Sequence, residues 1–309
     1  MGLTSQPGKE EWSGSAFEYA LFAAIARRIR VTPLEDEALE RARKKYEGSS
    51  QRSHLLRCAE RAVQYLLRAD KRLESKEPKT LSLNSSRAAQ SQHDVRDIVL
   101  EGNSATIGFS CKVNNQDLRH SRLARKLDFI KEWDLDENGA SPAYWKGVSP
   151  VFDRLHELRE RGLDWVDEYP TLATRRRLVL APVLDAWESE MRRVVNVDSS
   201  VPERLCRYLL GSKSYWKVVS GRRAVLVQKF NLEGDMPGEK LTMPGSILGI
   251  SIRDTSSVRE RIVTCDEGYA FGFRLHTASS HIESSLKFAV KGLKLPLEIS
   301  TEKFPIKGR

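Results

Sequence analysis

Apolar positions Phe17, Leu21, Ala24, Ile25 and Ile29 recur at helical spacing and predict a first helix with Ser15 as its cap. A second helix is expected over residues 34–46, charged on most of its surface. A third, over 54–73, carries Leu55, Ala59, Ala62, Val63 and Leu66 as its buried stripe. Residues 76–92 then turn polar and read as a long loop. Residues 95–100 and 105–113 have strand composition, and Glu101-Gly102-Asn103-Ser104 between them supplies turn chemistry, so a β-hairpin is predicted. A turn centred between Gly102 and Asn103 sets Asp97 opposite Gly108. Side chains alternate faces with period two, so Asp97, Ser110 and Lys112 fall on one face.

Beyond the hairpin, residues 119–131 are dense in Arg and Lys and read as helical, and 139–150 as a loop holding Tyr144, Trp145 and Lys146. Helical patterns resume over 151–162 and 172–195, the latter containing Arg175-Arg176-Arg177. Past about residue 200 the texture changes to short strand-like runs, at 215–219, 224–230, 246–252, 261–264, 270–276 and 286–290. The expected class is mixed α/β (α+β), with helices and a small sheet in residues 1–200 and a β-rich portion in 201–309.

Charge adds to this picture. Lys and Arg outnumber Asp and Glu by 51 to 42, a net charge of +9, which suits a polyanionic partner. Cys58, Cys111, Cys206 and Cys265 are scattered with no C-x-x-C pair, which argues against a zinc site and for reduced thiols in a cytoplasmic protein. The polar residues 1–11 lack the apolar core of a signal peptide, and no apolar run approaches a membrane span.

Several positions carry candidate chemistry. A carboxylate and an ammonium side by side at a strand end, as for Asp97 and Lys112, can anchor a divalent metal and orient water against a phosphate. An Asp–Lys pair on an exposed sheet face explains the same spacing. Glu18 follows Ser15 by three residues, which fits a capping box, or it projects a further acid towards the hairpin. Residues 134–139 imitate the start of an EF-hand loop, but position twelve is Trp145, so an acidic turn is expected instead. Arg119, His120, Arg122, Arg125, Lys126 and Lys131 form either a solvated face or a set of phosphate contacts. Phe271, Phe273 and Leu275 alternate with Gly272, Arg274 and His276, so the aromatic face belongs to the core and Arg274 and His276 project oppositely, towards DNA or water.

Gly14-Ser15-Ala16-Phe17-Glu18 in a first helix, Asp97 in a strand and Ser110-Cys111-Lys112 in the next is similar to the order of the PD-(D/E)XK nucleases. The run from Tyr208 through Gly211-Ser212-Lys213 to Val218, and Phe273-Arg274-Leu275-His276-Thr277-Ala278 continuing to Ser285-Leu286-Lys287-Phe288, resemble the HaeIII family of type II restriction endonucleases. That resemblance implies a restriction-endonuclease-like core, with a mixed central sheet flanked by helices, and a DNA-recognition role for 201–309. It also implies magnesium-dependent cleavage of double-stranded DNA at GGCC, in a bacterial or archaeal host with a protective methyltransferase. A palindromic target suggests a homodimer. Asp97 and Glu18, with Asp94 as a further candidate, would hold Mg2+, Lys112 would stabilise the transition state, and Arg274 and Lys287 would read bases. Ser110 departs from the pattern, because an Asp or Glu usually stands there. A DNA-binding protein on a degenerate nuclease scaffold, or a nuclease acting on RNA or branched DNA, are the competing expectations.

Overall fold

The computed structural model describes residues 13–84, 93–114, 117–254, 259–277 and 279–306. Its chain divides into two compact units, Met1–Gln116 with Gly211–Leu241 and Leu297–Arg309, and Asp117–Leu210 with Thr242–Pro296. The boundary near residue 200 expected from composition is therefore not where the chain divides. The reason lies in one strand pair. The fourth and fifth strands of the first unit pair in parallel, and parallel neighbours need a long crossover. Here the crossover runs through residues 117–210.

The first unit is helical before it is a sheet: α1 (Gly14–Arg28), β1 (Thr32–Pro33), α2 (Glu37–Glu47), α3 (Arg52–Ala69), β2 (Lys79–Leu83), β3 (Ile98–Gly102) and β4 (Thr106–Val113). Strand β2 falls inside the stretch expected to be a loop, and residues 85–92 of that stretch lie outside the described residues. After the crossover come β6 (Tyr215–Ser220) and β7 (Ala224–Phe230), and finally β12 (Thr301–Pro305). They build a seven-stranded mixed sheet of order β1-β2-β3-β4-β6-β7-β12. Phe17, Leu21, Phe22 and Ile25 of α1 share one core with Leu55, Ala59 and Val63 of α3 and with Ile98, Phe109, Cys111, Trp216 and Val218 of the sheet.

Ser13, not Ser15, caps α1: it is extended, and its Oγ accepts the Ala16 N–H at 3.4 Å. The helix thus starts two residues earlier than a Ser15 cap implies. Glu18 then lies beyond the first turn, free of any capping box.

The second unit holds β5 (Asp117–Ala124), the helices α4 (Phe129–Glu132), α5 (Pro142–Glu160), α6 (Trp165–Glu168), α7 (Leu172–Arg175), α8 (Ala181–Val197) and α9 (Val201–Leu210), and then β8 (Ile247–Asp254), β9 (Arg259–Cys265), β10 (Ala270–His276) and β11 (Ser285–Lys294). Its antiparallel sheet has the order β5-β11-β10-β9-β8. Two expectations fail here for physical reasons. The basic stretch after residue 117 is a strand because β11 pairs with it, Lys287 opposite Arg122, and long-range pairing outweighs local propensity. The stretch around Tyr144 is helical because Ser141 caps it and Pro142 occupies the first turn, where its missing N–H costs nothing.

A buried ion pair braces the sheet under the first unit's helices. Asp70, wholly buried after α3, meets Arg72 at 2.7 Å and accepts the Trp216 Nε1–H of β6 at 3.0 Å. Burial alone would push its carboxyl up, but Arg72 and the indole outweigh it and hold the pKa below the usual value. Arg72→Ala should therefore destabilise the protein by about 2–4 kcal/mol, because it strands a buried carboxylate. Urea denaturation at neutral pH measures this.

Candidate active site

Strands β3 and β4 pair antiparallel with Ile98 opposite Phe109 and Leu100 opposite Ile107. Asp97, just ahead of β3, donates its N–H to Phe109 O at 2.8 Å. One step further along this register, Asp97 faces Ser110 rather than Gly108. The turn closes through Gly102 N–H to Ala105 O at 2.9 Å, so its centre is Asn103-Ser104, one position later than expected. That moves the pairing by two residues. An even shift leaves every side chain on its expected face, so Asp97, Ser110 and Lys112 still come together.

Oδ2 of Asp97 is the hub of this cluster. It accepts the Cys111 N–H at 2.6 Å and the Ser110 hydroxyl at 3.2 Å, and Lys112 Nζ stands 3.9 Å away. Burial raises the Asp97 pKa more than Lys112, the Cys111 N–H and Ser110 lower it, and Asp94 adds to the rise. The Cys111 thiol points into the core, where burial and the two nearby carboxylates push its pKa far up, so it is inert.

Glu18 of α1 completes the group. Its pKa is raised to about 7, first by burial and then by the charge of Asp97, with Lys112 and Lys45 pulling the other way. Two carboxylates and a serine hydroxyl are the hard oxygen donors that magnesium takes, with water filling the remaining positions. The charge of Asp97 that raises the Glu18 pKa is also what a cation held by both carboxylates would offset. The donor set fits a divalent ion. Asp94, expected as a possible third ligand, is committed elsewhere: Arg96 grips both its oxygens at 2.6–3.0 Å. Among the described residues no group of three or more His, Cys, Asp or Glu gathers as a metal site.

Two neighbours escaped the sequence reading. Arg96 lies across Gly108, where a Cβ would collide with its side chain, so the glycine makes room for the Arg96–Asp94 pair. Lys217 of β6 is buried and is the register partner of Ser110, placing a second lysine beside that serine. Neither position has a local signal, because both depend on strand pairing.

The other candidate residues belong to the second unit. Arg122, Lys287 and His276 are register partners across β5, β11 and β10, so they form one row on one face. Arg274 shares that face, half-buried opposite Ala289, and its Nε has no hydrogen-bond partner. Arg122 bonds Glu283 at 3.0 Å and Ser285 at 2.7 Å. Two further expected DNA contacts are likewise occupied within the unit. Arg119 stacks 4.0 Å from the Tyr208 ring centroid and donates to Tyr208 O at 2.6 Å. Arg125 pairs with Asp153 at 2.9 Å. Lys126 is exposed.

A family model described as the HaeIII restriction endonuclease matches residues 14–296, a span that contains every residue of both clusters. The chain belongs to the HaeIII restriction endonuclease family. It is also 30% identical over 222 residues to the type II restriction enzyme HaeIII of Haemophilus aegyptius, covering 67% of this chain and 68% of that protein. No solved structure matches it. A member of this family is a type II site-specific deoxyribonuclease, a DNA-binding enzyme of a class that generally uses a divalent metal.

The elevated acid has a consequence for stability. The folded pKa of Glu18, about 7, exceeds the ordinary glutamate value of 4.5, so folding favours the protonated form and wild-type stability falls as pH rises through that interval. Metal-free Glu18→Gln should therefore be more stable than wild type at pH 8, by on the order of 1–3 kcal/mol. The difference should close below about pH 4.5, which urea titrations in chelator at both pH values would measure.

Proposed function

We propose that this enzyme hydrolyses phosphodiester bonds of duplex DNA within the palindrome GGCC, using Mg2+ held by Asp97 and Glu18. The observation that carries the reading is the junction of Asp97, Ser110, Lys112 and the raised Glu18 on one unit of a HaeIII-family chain. When bound, magnesium supplies positive charge to the scissile phosphate and to a water beside it. Asp97 is oriented for its ligand role by the Cys111 N–H and the Ser110 hydroxyl, so that Ser110 acts through Asp97 instead of replacing the missing acid. Lys112 faces the same side and stabilises the charge that builds on the phosphoryl oxygens as the incoming oxygen attacks and the ester oxygen leaves.

Recognition is assigned to the second unit. Arg274 and Lys287 are the base readers in this reading, each worth about 1–3 kcal/mol where it meets guanine O6 and N7. Arg122, His276 and Lys126 supply backbone contacts. The two-fold symmetry of the target favours a homodimer, and a nuclease of this kind needs a partner methyltransferase to protect host DNA. A cytoplasmic site of action follows from this reading, since the host's DNA and its methyltransferase are there; among the described residues no helix is long and apolar enough to cross a membrane.

Mapped plasmid incubated with the protein and magnesium should give one cut position within GGCC when the ends are sequenced. Retardation of GGCC duplex without nicking, in magnesium or manganese, would instead mark a binding protein, the alternative that Ser110 raises. Lys112→Ala should abolish cleavage, with a loss of at least about 100-fold, while duplex binding persists. A variant that still cuts at the wild-type rate would remove Lys112 from the mechanism.

A further inference from the structure

Arg175 ends α7, and its guanidinium carbon sits 4.9 Å from the ring centroid of Trp165 in α6. The Nε of Arg175 and the indole Nε1 of Trp165 are both buried and, among the described residues, both lack a hydrogen-bond partner. The acids of α6 and its cap are engaged with other groups. Asp164 faces the His281 imidazole, Asp167 accepts the Asp164 N–H at 3.0 Å, and Glu168 bonds Arg154. Burial lowers the Arg175 pKa, and no neighbouring carboxylate offsets it. A half-buried cation with no counter-charge among the described residues is an incomplete arrangement that an anion would complete.

Its location indicates which anion. Trp165 N–H donates to Ser280 O at 3.0 Å, Leu163 O accepts the Ile282 N–H at 3.1 Å, and Arg159 reaches Ser284 Oγ at 3.2 Å. The α6 segment is thus fastened to the connection between β10 and β11, the strands whose facing ends carry His276 and Lys287. Arg176 and Arg177 continue the basic run. We propose that Arg175, seated on Trp165, is a phosphate anchor that extends the basic row of the second unit along the backbone of duplex DNA. The inference rests on the nuclease reading and adds to it a contact that positions DNA without reading its sequence.

The test is the salt dependence of duplex affinity, measured by fluorescence anisotropy in chelator, with one GGCC-containing and one unrelated duplex. Arg175→Gln is expected to weaken both duplexes by the same factor, roughly 3- to 10-fold, and to reduce the slope of log affinity against log salt by about one. Arg175→Lys, which keeps the charge, should keep the wild-type slope. Arg207→Gln removes a cation already paired with Glu203 at 2.8 Å and should leave the slope unchanged. A wild-type slope in Arg175→Gln would overturn the proposal, and so would an equal loss in the Lys and Gln variants, which marks a packing role. Wild-type protein that binds neither duplex would overturn the nuclease reading itself, and this inference with it.

Discussion

The proposed active-site cluster depends on a single strand pairing. Because β3 and β4 meet in the register that sets Asp97 beside Ser110, the Cys111 N–H can reach the Asp97 carboxylate at 2.6 Å and Lys112 can stand next to both. A slip of one residue would turn Asp97 to the other face and dissolve the group, whereas a slip of two only slides it along. The hydrophobic side of the hairpin enforces the register. Ile98, Leu100, Ile107, Phe109 and Cys111 all enter the core with α1 and α3, so the geometry of the candidate site is secured by burial on the opposite face.

The first unit treats its buried acids in two ways, and the contrast separates support from chemistry. Asp70 is given an arginine and an indole N–H, and its pKa falls despite complete burial. Glu18 and Asp97 both lie near Lys112, yet burial raises the pKa of each, and the charge of Asp97 raises that of Glu18 further. Structure gains nothing from an underpaired acid couple. Underpaired, elevated acids of this kind are a mark of functional sites rather than of structural ion pairs.

In the second unit, one sheet serves two purposes on its two faces. Phe273 and Phe288 pack with Trp133 and Trp187, the Phe273 ring 4.7 Å from that of Trp187, and this aromatic mass stiffens β10 and β11. The alternate positions of the same strands then present Arg274, His276 and Lys287 from a firm base. The period-two alternation that buries the phenylalanines is the cause of the cationic row.

Local pattern by itself determined much of this protein. Helical spacing marked α1 and α3, alternation marked β10, and turn residues marked the hairpin, because each signal lies within a few residues of the element it specifies. The shared face of Asp97, Ser110 and Lys112 was legible for the same reason, since parity survives an error of two in register. Tertiary structure decided the rest. Whether residues 117–124 form a helix or a strand depends on β11, more than 160 residues away in the chain by the Arg122–Lys287 pairing. The parallel pairing of β4 with β6 interleaves the two units in sequence, and only packing shows that Asp94 is held by Arg96 and that Glu18 is free of a cap and lies within the field of Asp97 and Lys112. Such choices are settled by partners distant in sequence, which no local window contains.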